Sequence, residues 1–150
     1  MRVCLAFALS LPLLAQSDQK PTQLCAWIIE TRHEDVEHFD LWFQADRELE
    51  FLYVIGGEGI VDGSGKSHSP SSGSYVLKPG KAEKPWGFGT TINAPAKVDI
   101  TVEARQKPAD IFSKDETPLL AKFLFRRTIP ESEKSPPPTL AKKQCTAIKQ

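Results

Sequence analysis

An excess of charge of either sign is missing from this chain: 19 Lys and Arg face 19 Asp and Glu, for a formal net charge of zero. Without a basic excess it lacks the electrostatic footprint that nucleic-acid binding requires. Histidine is scarce; the three residues His33, His38 and His68 form no closely spaced pair on one strand. Two isolated cysteines beyond the first few residues, with no histidine nearby, do not make a zinc site. No apolar run is long enough to span a bilayer comfortably. No Gly-x-Ser-x-Gly element supports a nucleophile. The cluster Gly56-Gly57-Glu58-Gly59 lacks the lysine of a phosphate loop and carries a glutamate that repels phosphate. What is present is an ordinary globular composition, 40% hydrophobic and 25% charged over 150 residues, which allows one domain.

The N-terminus carries an export pattern. Met1-Arg2 gives a positive start, Val3 to Ala15 is an apolar run broken only by Ser10 and Pro12, and Leu13-Leu14-Ala15 offers cleavage before Gln16. Residues 1–15 therefore read as a signal peptide and residues 16–23 as a polar linker, which predicts a secreted or periplasmic protein. Cleavage removes Arg2, leaving the mature chain near neutral, and also removes Cys4. Cys25 and Cys145 then remain as an even pair in an oxidising compartment, where a disulfide is the default.

Between Leu24 and Glu103 the pattern is one of strands and turns. Leu24 to Arg32 is apolar and β-branched, with Cys25, Trp27 and Ile29 on one face. His38 to Ala45 sets Phe39, Leu41 and Phe43 against polar neighbours with a period of two. Leu49 to Ile55 runs into glycines that demand a bend or bulge, and Asp62-Gly63-Ser64-Gly65 signals a hairpin. Short strands follow at Tyr75 to Leu77, closed by Pro79-Gly80, and at Trp86 to Ile92. Lys97 to Glu103 alternates most cleanly, with Val98, Ile100 and Val102 on its dry face. This is an all-β domain over residues 24–128. Ser113 and Glu116 have the spacing of a capping box, and Leu119, Leu120, Phe123 and Leu124 form a stripe, which predicts a helix over 114–127; a strand through Phe123 and Phe125 is the alternative. Residues 129–150 are proline-rich and charged and read as a flexible tail pinned by Cys145.

In Glu50-Phe-Leu-Tyr-Val-Ile-Gly-Gly57 six residues separate a Glu from a following Gly, and Gly73-Ser-Tyr-Val-Leu-Lys-Pro79-Gly80 places Pro and Gly after a leading Gly. Over these thirty or so residues the chain resembles the two motifs of the cupin superfamily, which implies a small double-stranded β-helix, the jelly-roll barrel. The alternative architecture is an immunoglobulin-like β-sandwich. Cupin metal sites use histidines just before that Glu and after the second motif's Gly. Here the windows Phe43 to Leu49 and Lys81 to Pro85 contain none. The resemblance is therefore to a degenerate member without the usual metal, and no cofactor is expected.

Three functions remain open. The first is an exported, non-catalytic binding or structural module that engages a small molecule or an envelope protein, with Trp42, Tyr53, Trp86 and Phe88 as aromatic walls and Glu50 as a polar group among them. By alternation Glu50 shares a face with Leu52 and Val54, which would point it toward an apolar interior and raise its pKa; a Glu at a strand edge that reaches solvent, or pairs with Arg47 or Lys84, is the plainer reading. The second is a cupin-type metalloenzyme with an unconventional divalent-metal site of His38, Asp40 and Glu50. The third is an immunoglobulin-like accessory domain whose sheet edge or proline-rich tail docks a partner. The mature form has no membrane span, and a homodimer is compatible with the cupin resemblance.

Overall fold

The computed structural model describes residues 20–62, 65–67, 71–108, 117–131, 139–140 and 142–148. The export pattern at 1–15 lies outside these residues. The described strands are β1 (Thr22–His33), β2 (Val36–Ala45), β3 (Leu49–Asp62), β4 (Gly65–Ser67), β5 (Ser71–Leu77), β6 (Glu83–Thr91), β7 (Ala96–Gln106), β8 (Leu119–Ile129), β9 (Thr139–Leu140) and β10 (Gln144–Ile148). Among the described residues there is no helix, and so none long and apolar enough to cross a membrane.

The strands form two five-stranded antiparallel sheets. The first has the order β10-β1-β2-β6, with β9 also pairing β1; the second has the order β4-β3-β7-β8, with β5 also pairing β3. This is the arrangement of a β-sandwich. The chain turns tightly between β1 and β2, where His33 pairs Val36 and Glu34 takes a left-handed φ of 56°. It then crosses between sheets after β2, β5, β6 and β8. Gly80, at φ 70°, supplies the left-handed turn after Pro79. That turn is tied down where Gly80 N donates to the Ala45 carbonyl at 2.7 Å and Gln44 Nε2 donates to the Gly80 carbonyl at 2.7 Å. The bulge demanded by the glycine cluster appears as a register shift between Gly56 and Gly59 against β7.

Alternation decides which side of each strand is dry. Phe39, Leu41 and Phe43 of β2 and Val98, Ile100 and Val102 of β7 all face the core, as their spacing predicts. On β1 the buried apolar set is Leu24, Ala26 and Ile28, while Trp27 and Ile29 are half-buried on the opposite side. Of the stretch 114–127, residues 114–116 lie outside the described residues; for the rest the strand alternative through Phe123 and Phe125 holds over the helix, since Leu119–Ile129 is strand β8, pairing β7 from Ala96↔Ile129 to Arg105↔Leu119. Its buried residues are Ala121, Phe123, Phe125 and Ile129, a period of two, and pairing with β7 satisfies a backbone that a helical stripe would have satisfied internally. The linker also gives way, since Thr22 and Gln23 already belong to β1. Part of the tail is strand as well, because β9 and β10 extend the first sheet along β1.

Both sides of the sandwich are bridged. On one, Tyr75 of β5 donates to Glu83 Oε2 of β6 at 2.6 Å. On the other, the Gln144 side-chain amide donates to the Leu124 carbonyl at 2.7 Å and accepts from Leu124 N at 3.4 Å, so a side chain occupies the edge of β8 as a strand would. β10 is itself held by the Cys25–Cys145 disulfide, which joins directly opposed residues 120 apart in sequence.

Two outcomes test this account. Reduction, or the paired replacement Cys25→Ser and Cys145→Ser, should lower the unfolding free energy by about 2–4 kcal/mol, read by urea denaturation with and without reductant. The hydrogen bond to Glu83 and burial hold the Tyr75 pKa above its ordinary 10.0, while the same bond, aided by Lys81, holds Glu83 below the usual carboxylate range. Stability from Tyr75 is thus present below pH 10 and lost as pH rises through the raised folded value; that from Glu83 is present above the carboxylate range and lost as pH falls through the lowered one. In Tyr75→Phe, NMR titration should find the Glu83 carboxyl moved upward toward its ordinary range, and the alkaline loss of stability should shrink.

Candidate binding site

The residues picked out from sequence are distributed over three surfaces. Trp42 lies on the solvent side of the first sheet, half-buried and stacked on Trp27 across β1 and β2, with ring centroids 6.3 Å apart and planes 10° from parallel. Lys143 Nζ sits 4.6 Å from the Trp27 ring centre and 2.5 Å from Gln44 Oε1. The Trp42 indole N–H has no acceptor among the described residues. Trp86 and Phe88 of β6 face inward opposite Leu41 and Phe39 and pack against the core, with Phe88 5.2 Å from Phe39 and 4.9 Å from Trp86. Tyr53 is buried in the second sheet with its ring over Gly73, where an added Cβ would come within 2.7 Å of the phenol oxygen. Gly73, read as the start of the second cupin motif, is thus also the space in which this tyrosine lies.

Glu50 requires a correction. It does share a face with Leu52 and Val54, but that face is the outer one of the second sheet; Phe51, Tyr53 and Ile55 are the buried set. Glu50 is exposed and paired with Lys107, rather than with Arg47 or Lys84. The suggested site of His38, Asp40 and Glu50 does not assemble either. His38 and Asp40 project from the outer side of the first sheet over Gly89 and Gly87, with Asp40 3.3 Å from Lys84 and His38 edge-on to His33 at 5.9 Å. Glu50 stands on the outside of the other sheet. Among the described residues no three His, Cys, Asp or Glu side chains gather as a metal site.

The interior carries carboxylates of its own. The inward face of β1 continues from Ile28 to Glu30 and Arg32, and that of β2 begins at Glu37 before Phe39. Glu37 is fully buried and its Oε1 lies 2.8 Å from Arg32 Nε, directly across the hairpin. Glu30, also buried, forms an ion pair with Arg127 of β8, on the opposite sheet. Two acids and two arginines thus stand at one end of the sandwich in pairs, which is how a low-dielectric interior accommodates charge.

Beside them, between the two sheets, lies a half-open cavity of about 170 Å³. Ile28, Glu30 and Phe39 wall it from the first sheet, and Val98, Ile100, Phe125, Arg126 and Arg127 from the second. Arg126 reaches outward to Asp99 at 3.2 Å. Phe43 meets Phe51 at 5.0 Å and Phe123 at 6.4 Å elsewhere between the sheets, whereas here the shorter Ile28, Val98 and Ile100 stand beside Phe39 and Phe125. The signal that points to this site is the continuation of a dry alternation into charge: Leu24, Ala26 and Ile28 lead on to Glu30 and Arg32.

Removing one member of a buried pair leaves the other uncompensated. Glu30→Leu and Arg127→Leu should each cost about 3–5 kcal/mol in urea denaturation, while the double replacement should recover most of that loss.

Comparison with family models, with curated proteins and with solved structures found no match to this chain.

Proposed function

We propose that this protein is an exported, non-catalytic binding module, cupin-like in its Glu50 to Gly80 segment, that takes a small molecule between its two sheets. The carrying observation is the 170 Å³ cavity walled by five apolar side chains and bounded by the Glu30–Arg127 pair. Binding sites combine an apolar wall with a few fixed polar groups in this way. Export is supported by the signal-like residues 1–15 and by the Cys25–Cys145 disulfide, which persists in an oxidising compartment.

A fragment panel of mixed charge, screened by thermal shift, tests the proposal. A ligand that binds the folded state alone stabilises it by about 2.7 kcal/mol at a hundredfold excess over Kd. At least one fragment should raise Tm in the wild type. That response should vanish in Val98→Phe or Ile100→Phe, which fill the cavity, and persist in Trp42→Ala, on the outer face. Equal responses in the cavity-filled variants would remove the cavity as the site.

A further inference from the structure

We infer that the cavity selects an uncharged ligand whose buried part is a hydrocarbon group the size of a single ring; this rests on the binding reading above and specifies its ligand. Three charged residues touch the wall, and each is already matched: Glu30 by Arg127, and Arg126 by Asp99. Behind them Arg32 and Glu37 form a further neutral pair. Among the described residues, the charges around the cavity therefore cancel in pairs.

A carboxylate entering toward Arg127 competes with Glu30, whose side chain is only 6% exposed and already paired with it. A cation entering toward Glu30 displaces Arg127 in the same way. Either ion also gives up its own hydration on entering an apolar space, a loss repaid only by a partner that is free to take it. An uncharged molecule meets neither cost. It gains from covering Ile28, Phe39, Val98, Ile100 and Phe125 while the ion pairs stay intact.

Volume sets the size of the buried group. An apolar cavity of roughly 150 Å³ admits benzene, and the cavity here is about 170 Å³. A whole acyl chain is too large, but its end fits. The same hydrocarbon chemistry is thus available from a free ring compound or from the tip of a neutral lipid.

The test uses the full mature protein and probes of matched shape: toluene, benzyl alcohol, benzoate and benzylammonium, with 1-octanol as the chain end. Methyl-resolved NMR titration follows Ile28, Val98 and Ile100. Toluene and benzyl alcohol should shift these methyls saturably, and benzoate and benzylammonium should bind roughly tenfold or more weakly. Tighter binding of 1-octanol than of toluene supports the proposal with a lipid end as occupant; the reverse order supports it with a free ring compound. Benzoate or benzylammonium binding as tightly as benzyl alcohol overturns the inference and leaves the binding-module reading standing. Silence of all three residues toward every probe, together with an unresponsive fragment panel, overturns both. Ile100→Phe serves as the control in which the neutral probes lose their shifts, and the methyl spectrum itself reports whether that variant is folded.

Discussion

Phe43 stands where the two sheets meet. Its ring lies edge-on to Phe51 of β3 and to Phe123 of β8, so one fully buried side chain of the first sheet touches two strands of the second. Around it Leu41, Leu49, Leu77 and Val102 are excluded from water, and this shared apolar layer is what turns two antiparallel ladders into one body. The peripheral devices depend on it. The Tyr75–Glu83 bond, the Gln144 amide against Leu124 and the Cys25–Cys145 bond can form only because the core brings their strands together.

The layer is uneven along its length. Phenylalanines fill it around Phe43, whereas near Glu30 shorter chains leave a cavity and charged groups take over the boundary. Four ionised side chains inside a domain of this size cost desolvation that apolar replacements would avoid. Their pairing across the hairpin, Arg32 with Glu37, and across the sheets, Glu30 with Arg127, compensates that cost and holds the two sheets in register at the open end. The same pairing matches the described charges around the cavity, and this connects the stability of the fold to the uncharged ligand proposed for it.

Most of the fold was legible because period-two alternation reports directly on a sheet with one dry face. The runs at β2 and β7, the bend at the glycines of β3 and the Asp62 to Gly65 hairpin follow from it. β8 stays open between helix and strand in the sequence because Leu119, Leu120, Phe123 and Leu124 satisfy helical spacing as well as they satisfy a strand, and short apolar stretches do not separate the two periods. The side that Glu50 takes is equally open, because it shares a face with Leu52 and Val54, two apolar residues that lie on the half-buried outer side. The site fared worst. The apolar wall of the cavity is Ile28, Phe39, Val98, Ile100 and Phe125, which look like any core residues until two strands are seen to face each other.

Local chemistry in the sequence therefore determined the strands and turns between Leu24 and Glu103 and the dry faces of β2 and β7, since each depends on residues within a few positions of one another. The cysteine pair followed from counting alone once the export pattern was read. Tertiary structure decided which of two apolar faces on β1 and β3 is buried, that Leu119–Ile129 is a strand, and that Glu30 meets Arg127. These outcomes depend on contacts between residues far apart in the chain. For Glu30 and Arg127 the contact spans from β1 to β8, a pairing that no local period encodes and that only the closing of the two sheets brings about.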